Sequence, residues 1–421
     1  MPGSRAAAGH PAYEMTKSPR FPQTGLSADA VAEALRAHAG LDSASVETIG
    51  FARRFFAGSD VAAVAADAAG LFAHAGRVSS YPGLPQPPGM GQIQRELQQW
   101  ALELLDAPEG TAARLTSGGT ESVILALRAC LKTASPGKPS PAGTPPEIVA
   151  AWSAHPCIDK AAELLGARLV RVPVGVGHVA DPVAMAAAIT PATRMLYVSF
   201  PSYAYGLADD VAAFADLALE HGLWLHVDAC MSGFLAPFQR MNGEAIPFCG
   251  PGIPGVSSLS ADFHKHGYSA KGASALLLAE EAARAIDFVY SDHPLPTMAT
   301  ETLAGTAPGA ALASAWAVMR YLGAEGYCKL AARLSAARQA FAAAVRSVPG
   351  FSVLGEPLFS LMVVTSSRHD MAAVHRGMAA RGWFTLAVAS PPGLHLNIGA
   401  LDAPLAERFA ADLSEVVRDA A

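Results

Sequence analysis

Three short segments carry residue types that chemistry needs. Thr116-Ser117-Gly118-Gly119-Thr120-Glu121-Ser122 is a glycine-rich turn that opens an apolar helix. His226-Val227-Asp228-Ala229 places a carboxylate at the end of an apolar strand, and His264-Lys265 follows a second strand. The turn offers free N–H groups and the positive end of a helix dipole, which together seat an anion. Its glycines let the backbone come close, and the Thr120 hydroxyl adds a donor. Asp228 is costly at the end of an apolar strand unless it is paired; facing a ring nitrogen, it would keep that nitrogen protonated. Lys265 supplies an amine that loses its charge on forming a Schiff base. These are the parts that pyridoxal 5'-phosphate (PLP) takes from a protein. Each part also has a plainer reading. The turn could be an ordinary helix start capped by Ser117 or Thr120. Asp228 could bond backbone amides, or share a metal with His226. Lys265 could sit in a surface loop. No second carboxylate or histidine lies at ligand spacing, so no metal is expected.

The elements around these segments alternate. Glu147–Trp152, Arg168–Val172, Arg194–Ser199, Leu223–Val227, Val256–Ala261 and Ser274–Leu278 read as strands. Helical runs lie between several of them, at Glu121–Leu131, Ile158–Leu165 and Val211–His221. Such alternation predicts an α/β fold with a mostly parallel central sheet covered by helices. Ligands bind beyond the carboxyl ends of such strands, where His155, Ser199 and Asp228 fall. Upstream, 27–75 is helically patterned, Ser79–Gly91 is a Pro/Gly-rich irregular loop, and Gln92–Leu105 is an amphipathic helix. Downstream, helices over Pro308–Leu322 and Leu330–Val348 precede a smaller α+β domain, with strands at Phe351–Leu354, Leu358–Thr365 and Leu394–Ile398 and a helix at Met371–Arg381. The expected division is 1–75 as an N-terminal arm and helices, 76–325 as the large domain and 326–421 as the small one. Pro136–Pro146 reads as an exposed Pro-rich excursion.

Bulk properties exclude several classes. A length of 421 residues implies more than one small core. The net charge of -6 argues against a nucleic-acid partner held by phosphate neutralisation. No apolar run reaches the roughly 18–20 residues of a membrane span. Met1–Gly25 lacks the apolar centre of a secretory signal and reads as an arm that could cross a partner subunit. Cys130, Cys157, Cys230, Cys249 and Cys328 form no CxxC pair and read as free thiols in a reducing cytoplasm. The chain has no GxSxG elbow and no GxxxxGK[ST] loop, which argues against a serine hydrolase and a P-loop nucleotide site.

Longer stretches carry a family resemblance. TSGGTESVILALRA (116–129), SAHPCIDKAAELLGA (153–167), SFPSYAYGLADD (199–210), WLHVDACMSGFLAPF (224–238), SLSADFHKHGYSAKGAS (258–274) and ETLAGTAPGAALASAWAVMRYLGAEGY (301–327) occur in order. On these the chain resembles the PLP-dependent group II decarboxylase superfamily, and most of all its sphingosine-1-phosphate lyase branch. The resemblance implies PLP fold-type I and a homodimer with shared active sites. It makes Lys265 the Schiff-base lysine and Asp228 the partner of the pyridine nitrogen, with His155 stacked on the ring. Gly119, Thr120 and His264 would hold the phosphate, joined by Gly305 and Thr306 from the neighbouring subunit. Tyr203 matches a tyrosine near the substrate, and Lys271 a second lysine of the lyase branch.

Two departures bear on the substrate. The lyases carry His-Pro-Asp where this chain reads Leu84-Pro85-Gln86, and Gly-Ser-Arg-Pro-Gly where it reads Gly305-Thr306-Ala307-Pro308-Gly309. A histidine and an arginine suited to a phosphorylated substrate are absent. The expectation is a cytoplasmic PLP lyase acting at Cα of a small amine or amino acid, of the retro-aldol type and not on a sphingoid phosphate. An amino-acid decarboxylase and an inactive scaffold are the alternatives.

Overall fold

The computed structural model describes residues 27–48, 51, 55–76, 87–133, 143–292, 294, 297–305 and 308–419. The arm at 1–25, the loop at 79–86 with its Leu84-Pro85-Gln86 stretch, residues 136–142, Thr306 and Ala307 lie outside them. The chain divides into Met1–Thr48 and Ile49–Ala421. In the first unit α1 spans Ala28–Thr48, with Val31 and Leu35 exposed.

The second unit carries the sheet. Helices α2 (Ser59–Leu71) and α3 (Pro88–Leu104) lead into β1 (Thr111–Thr116) and α4 (Gly119–Thr133). Then follow β2 (Glu147–Ala151), α5 (Cys157–Leu165), β3 (Arg168–Val172), α6 (Pro182–Ala187) and β4 (Thr193–Ser199). Next come α7 (Val211–His221), β5 (Trp224–Asp228), α8 (Ala236–Met241), β6 (Val256–Ala261), β7 (Ser274–Ala279) and α9 (Glu280–Ala285). The seven strands lie in the order β1-β7-β6-β5-β4-β2-β3. All pairings are parallel except those of β7, which runs against both its neighbours. Strands β2, β4 and β5 are buried along their whole length because both faces of the sheet are covered. Leu196, Leu225 and Val227 pack towards Phe214 of α7 and Leu312, and Met195, Tyr197 and Trp224 pack towards α4 and α5.

A short β8 (Phe288–Tyr290) and β9 (Met298–Thr300) form a hairpin before α10 (Ala310–Ser347). Helix α10 leads into the small domain and breaks at Gly323, whose φ of 54° and ψ of -176° suit glycine. There β10 (Phe351–Val353), β11 (Leu361–Ser366), β12 (Leu386–Ala389) and β13 (Pro392–Asn397) form an antiparallel sheet ordered β10-β11-β13-β12. Helices α11 (Met371–Ala380) and α12 (Ala406–Asp419) pack on it around Phe341, Trp383 and Phe409.

The observed elements correct several readings. Helix α3 begins at Pro88, inside the stretch read as an irregular loop. Proline fits there because the first N–H groups of a helix have no partner anyway. Strand β1 precedes the glycine-rich turn and is not among the strands read from the sequence. Strand β12, the β8–β9 hairpin and α12 were not foreseen.

Candidate active site

The sheet register brings the chemistry to one edge. Ser199 on β4 lies opposite Asp228 on β5, which lies opposite Ser260 on β6. Strand β1 runs in the same direction as β6, so its carboxyl end and the Ser117–Gly119 turn reach the same edge. A cleft of about 550 Å³ opens there. Its walls include Lys265, Asp228, His155 and Tyr203. Gly119, Thr120, His264 and Lys271 line it too. Gly305 is exposed and does not line the cleft of its own chain.

Asp228 is buried and held at both oxygens. Its Oδ2 accepts from the Tyr197 hydroxyl at 2.5 Å, and its Oδ1 from the Cys230 N–H at 3.0 Å. One bond to a backbone amide is thus real, as the plainer reading had it, but the carboxylate also faces the cleft. Burial alone would raise its pKa. The Lys265 charge, the Tyr197 and Cys230 hydrogen bonds and His155 outweigh burial and hold it below the ordinary carboxylate value. Asp228 is therefore an anion at neutral pH, able to keep a proton on a ring nitrogen. Burial, with the Asp228 charge, pushes the Tyr197 phenol well above its ordinary value, so Tyr197 stays a donor. Behind Asp228, His226 bonds Ser258 Oγ at 2.8 Å and Ser260 Oγ at 3.3 Å, and burial lowers its pKa to about 4. Neutral and enclosed, His226 is outside the cleft lining.

The Lys265 amine lies 2.9 Å from Asp262 Oδ2. Burial would lower the Lys265 pKa, but the negative charges of Asp262 and Asp228 more than reverse it and hold the ammonium form. Asp262 is itself fixed by a buried hydroxyl chain. Ser274 Oγ donates to Asp262 Oδ1 at 2.6 Å and lies 3.3 Å from Ser122 Oγ, which meets Thr116 Oγ1 at 2.6 Å. The Asp262 position in the motif Ser260-Ala261-Asp262-Phe263-His264-Lys265, three residues before the lysine, was the signal that could have found it.

The anion seat is built by close packing. Helix α4 starts at Gly119, so its first N–H groups have no carbonyl one turn back. A Cβ on Gly119 would stand 2.5 Å from Cys230 Sγ, closer than atoms pack. Neither Ser117 nor Thr120 is the group that ties the helix start. Buried Glu121 does so, accepting from Ser117 N–H at 2.6 Å and from Leu303 N–H at 2.8 Å. Glu121 thereby anchors the segment that leads to Gly305. His264 donates from Nδ1 to Ala273 O at 2.8 Å, and burial lowers its pKa. Neutral, it presents only a lone pair at Nε2, and it donates to a phosphate there only when protonated.

On the other wall, His155 Nδ1 accepts from Cys157 N–H at 3.2 Å, and burial lowers its pKa. The neutral ring therefore carries its proton on Nε2. The Tyr203 ring stands edge-on to His155 at 5.8 Å and lies 5.0 Å from His395 of β13. Lys271 donates to His264 O at 3.1 Å and sits 4.8 Å above the Phe55 ring.

Against known proteins, residues 44–365 match the pyridoxal-dependent decarboxylase conserved domain. The chain belongs to the pyridoxal-dependent decarboxylase family. It is 32% identical over 338 residues to the sphingosine-1-phosphate lyase of Oryza sativa, covering 78% of this chain and 61% of that one. The chain thus spans about six-tenths of the length of that curated lyase. It is 31% identical over 303 residues to a probable L-aspartate decarboxylase of Pyrococcus furiosus, covering 72% of this chain and 78% of the relative. The solved sphingosine-1-phosphate lyase of Burkholderia pseudomallei superposes with a TM-score of 0.88 at 30% identity, over 96% of this chain and 94% of that one. A glutamate decarboxylase of Lactobacillus brevis shares the fold, with a TM-score of 0.80 at 16% identity over 96% of this chain and 95% of that one.

The family's cofactor is pyridoxal 5'-phosphate, and the cleft fits it. A glycine that cannot carry a Cβ, a helix start with open N–H groups, a buried carboxylate and an amine share one cavity. Lys265 would hold its carbonyl carbon, Asp228 its ring nitrogen, and Gly119 and Thr120 its phosphate. Among the described residues no helix is long and apolar enough to cross a membrane.

Proposed function

We propose that the protein is a carbon–carbon lyase that breaks the Cα–Cβ bond of a small, unphosphorylated β-hydroxy amine or amino acid. One observation carries the reading: among the described residues of the cleft, Lys265, Asp228, His155 and the Gly119-Thr120 turn stand together beside walls that hold no arginine. The similarity to sphingosine-1-phosphate lyases supports the bond broken. The replacements at Leu84 and Ala307 argue against a phosphate dianion, which needs several charge-assisted hydrogen bonds in a dry cleft. We further propose a cytoplasmic homodimer in which Gly305 and Thr306 serve the partner's cofactor phosphate.

Bound PLP supplies a carbonyl that takes an amine and a ring that accepts the electron pair of the broken bond. Asp228 holds the proton on the ring nitrogen, and Tyr197 and Cys230 fix its carboxylate while it does so. The Asp262 carboxylate holds the proton of the Lys265 amine and must let it go before that amine reacts. His155 and Tyr203 form the wall beside the reacting carbon. A base takes the β-hydroxyl proton as an aldehyde leaves, a step that Tyr203 or Lys271 would assist.

An amino-acid decarboxylase is the second reading, favoured by the Pyrococcus furiosus relative, of which this chain covers 78%. An inactive scaffold is disfavoured because Lys265, Asp228 and His155 share one cleft. The test is a panel of α-amino acids, β-hydroxy amino acids and a sphingoid phosphate, followed by the cofactor spectrum and product masses. An aldehyde from a β-hydroxy amino acid supports the lyase. Carbon dioxide supports the decarboxylase, and efficient cleavage of the sphingoid phosphate overturns the substrate assignment.

A further inference from the structure

The small domain contributes one polar side chain that the chemistry above does not use. Asn397 ends β13, opposite Leu361 of β11, and lines the cleft. It is only 6% exposed. Its carboxamide makes no hydrogen bond to any described residue. Its polar atoms open onto the cleft, where a ligand can pair them in place of solvent. Its surroundings fix where that ligand lies. His395, two residues earlier on the same face of the strand, donates from Nε2 to Tyr203 O at 2.8 Å, and the Tyr203 ring meets His155. Asn397 therefore belongs to the wall that flanks the reacting carbon.

We propose that Asn397 is a specificity-determining residue that binds the β-hydroxyl of the substrate, an inference that rests on the lyase reading above. A carboxamide offers N–H donors and a carbonyl acceptor. A hydroxyl both donates and accepts, so it pairs with both ends. A carboxylate or phosphate only accepts and would leave Oδ1 unpaired. Charge points the same way. Among the described lining residues Glu121, Asp228 and Asp262 stand against Lys265 and Lys271, so a further anion beside Asn397 finds no surplus cation.

Threonine and 2-aminobutyrate differ only by a β-hydroxyl and serve as the probes. Their dissociation constants are read from the change in cofactor absorbance of the PLP-loaded protein. The wild type is expected to bind threonine more tightly than 2-aminobutyrate. Asn397→Leu, close in size and without donors or acceptors, is expected to lose that preference by about tenfold or more, with 2-aminobutyrate changed less than about twofold. Should Asn397→Leu fail to load cofactor, Asn397→Ala is read in the same way. An unchanged preference in the variant, equal loss for both probes, or no preference in the wild type overturns the assignment of Asn397. A wild type whose cofactor spectrum responds to neither probe nor to any amine overturns the lyase reading itself.

Discussion

The Asp262 carboxylate lies 2.9 Å from the Lys265 amine, three residues away in the loop that follows β6. The pair explains how an amine in a largely enclosed cleft stays charged before the cofactor arrives. Burial alone would favour the neutral form, and Asp262 supplies the largest opposing effect. Hydroxyls from β1, α4 and β7 hold that carboxylate in place.

Asp262→Asn is therefore expected to lower the pKa of Lys265. A raised pKa keeps the amine protonated and unreactive to higher pH, so its removal lets the amine react at lower pH. The rate of PLP capture by apo protein, followed by absorbance against pH, should shift its midpoint downward in the variant. An unmoved midpoint removes Asp262 from this role.

Asp228→Asn leaves the ring nitrogen without an anion. An electrostatic contribution of this kind is worth about 3 kcal/mol or more, so kcat should fall by about two orders of magnitude or more while circular dichroism is unchanged. Near-normal turnover would show that Asp228 does not hold the nitrogen proton.

Acid should unfold the protein in a defined window. His226 and His266 are buried, and burial lowers their pKa values to about 4 and about 3 from 6.5. The unfolded chain therefore binds protons that the folded one refuses. This stability is fully present above about pH 6.5 and is lost as pH falls towards 4, with His226 alone worth about 3 kcal/mol. Urea midpoints measured from pH 8 to pH 4.5 check this, and a flat profile contradicts it.

Gly305 is exposed beside a segment that Glu121 anchors, and the proposed dimer would bring Gly305-Thr306 to a neighbouring cofactor. Light scattering at assay concentration is expected to give twice the chain mass. A fully active monomer would show that each cleft is complete alone.

Much of this was legible in the chain. The alternation of apolar runs marked the parallel strands, and β3, α7 and β6 begin and end where their patterns do. Asp228, Lys265 and the glycine turn stood out because buried charges and helix-start glycines are chemically conspicuous. Asn397 had no such mark, since a polar residue ending a short strand looks ordinary until a remote fold brings it to the cleft. Tyr197 reads as one more apolar residue of β4, and only register places its hydroxyl on Asp228. Helix α12 was there to be read: Phe409, Leu413 and Val416 recur at helical spacing and are buried. Proline at 88 reads in the sequence as a helix breaker, yet proline also opens helices, as it does in α3.

The central claim is that Lys265 carries the cofactor. Reduction of the PLP-loaded protein with borohydride, followed by digestion and mass mapping, should place the pyridoxyl group on the peptide at Lys265 and nowhere else. Lys265→Ala should then bind PLP only reversibly and take up no label. Label on Lys271 in the wild type, or undiminished fixation in Lys265→Ala, would contradict the account.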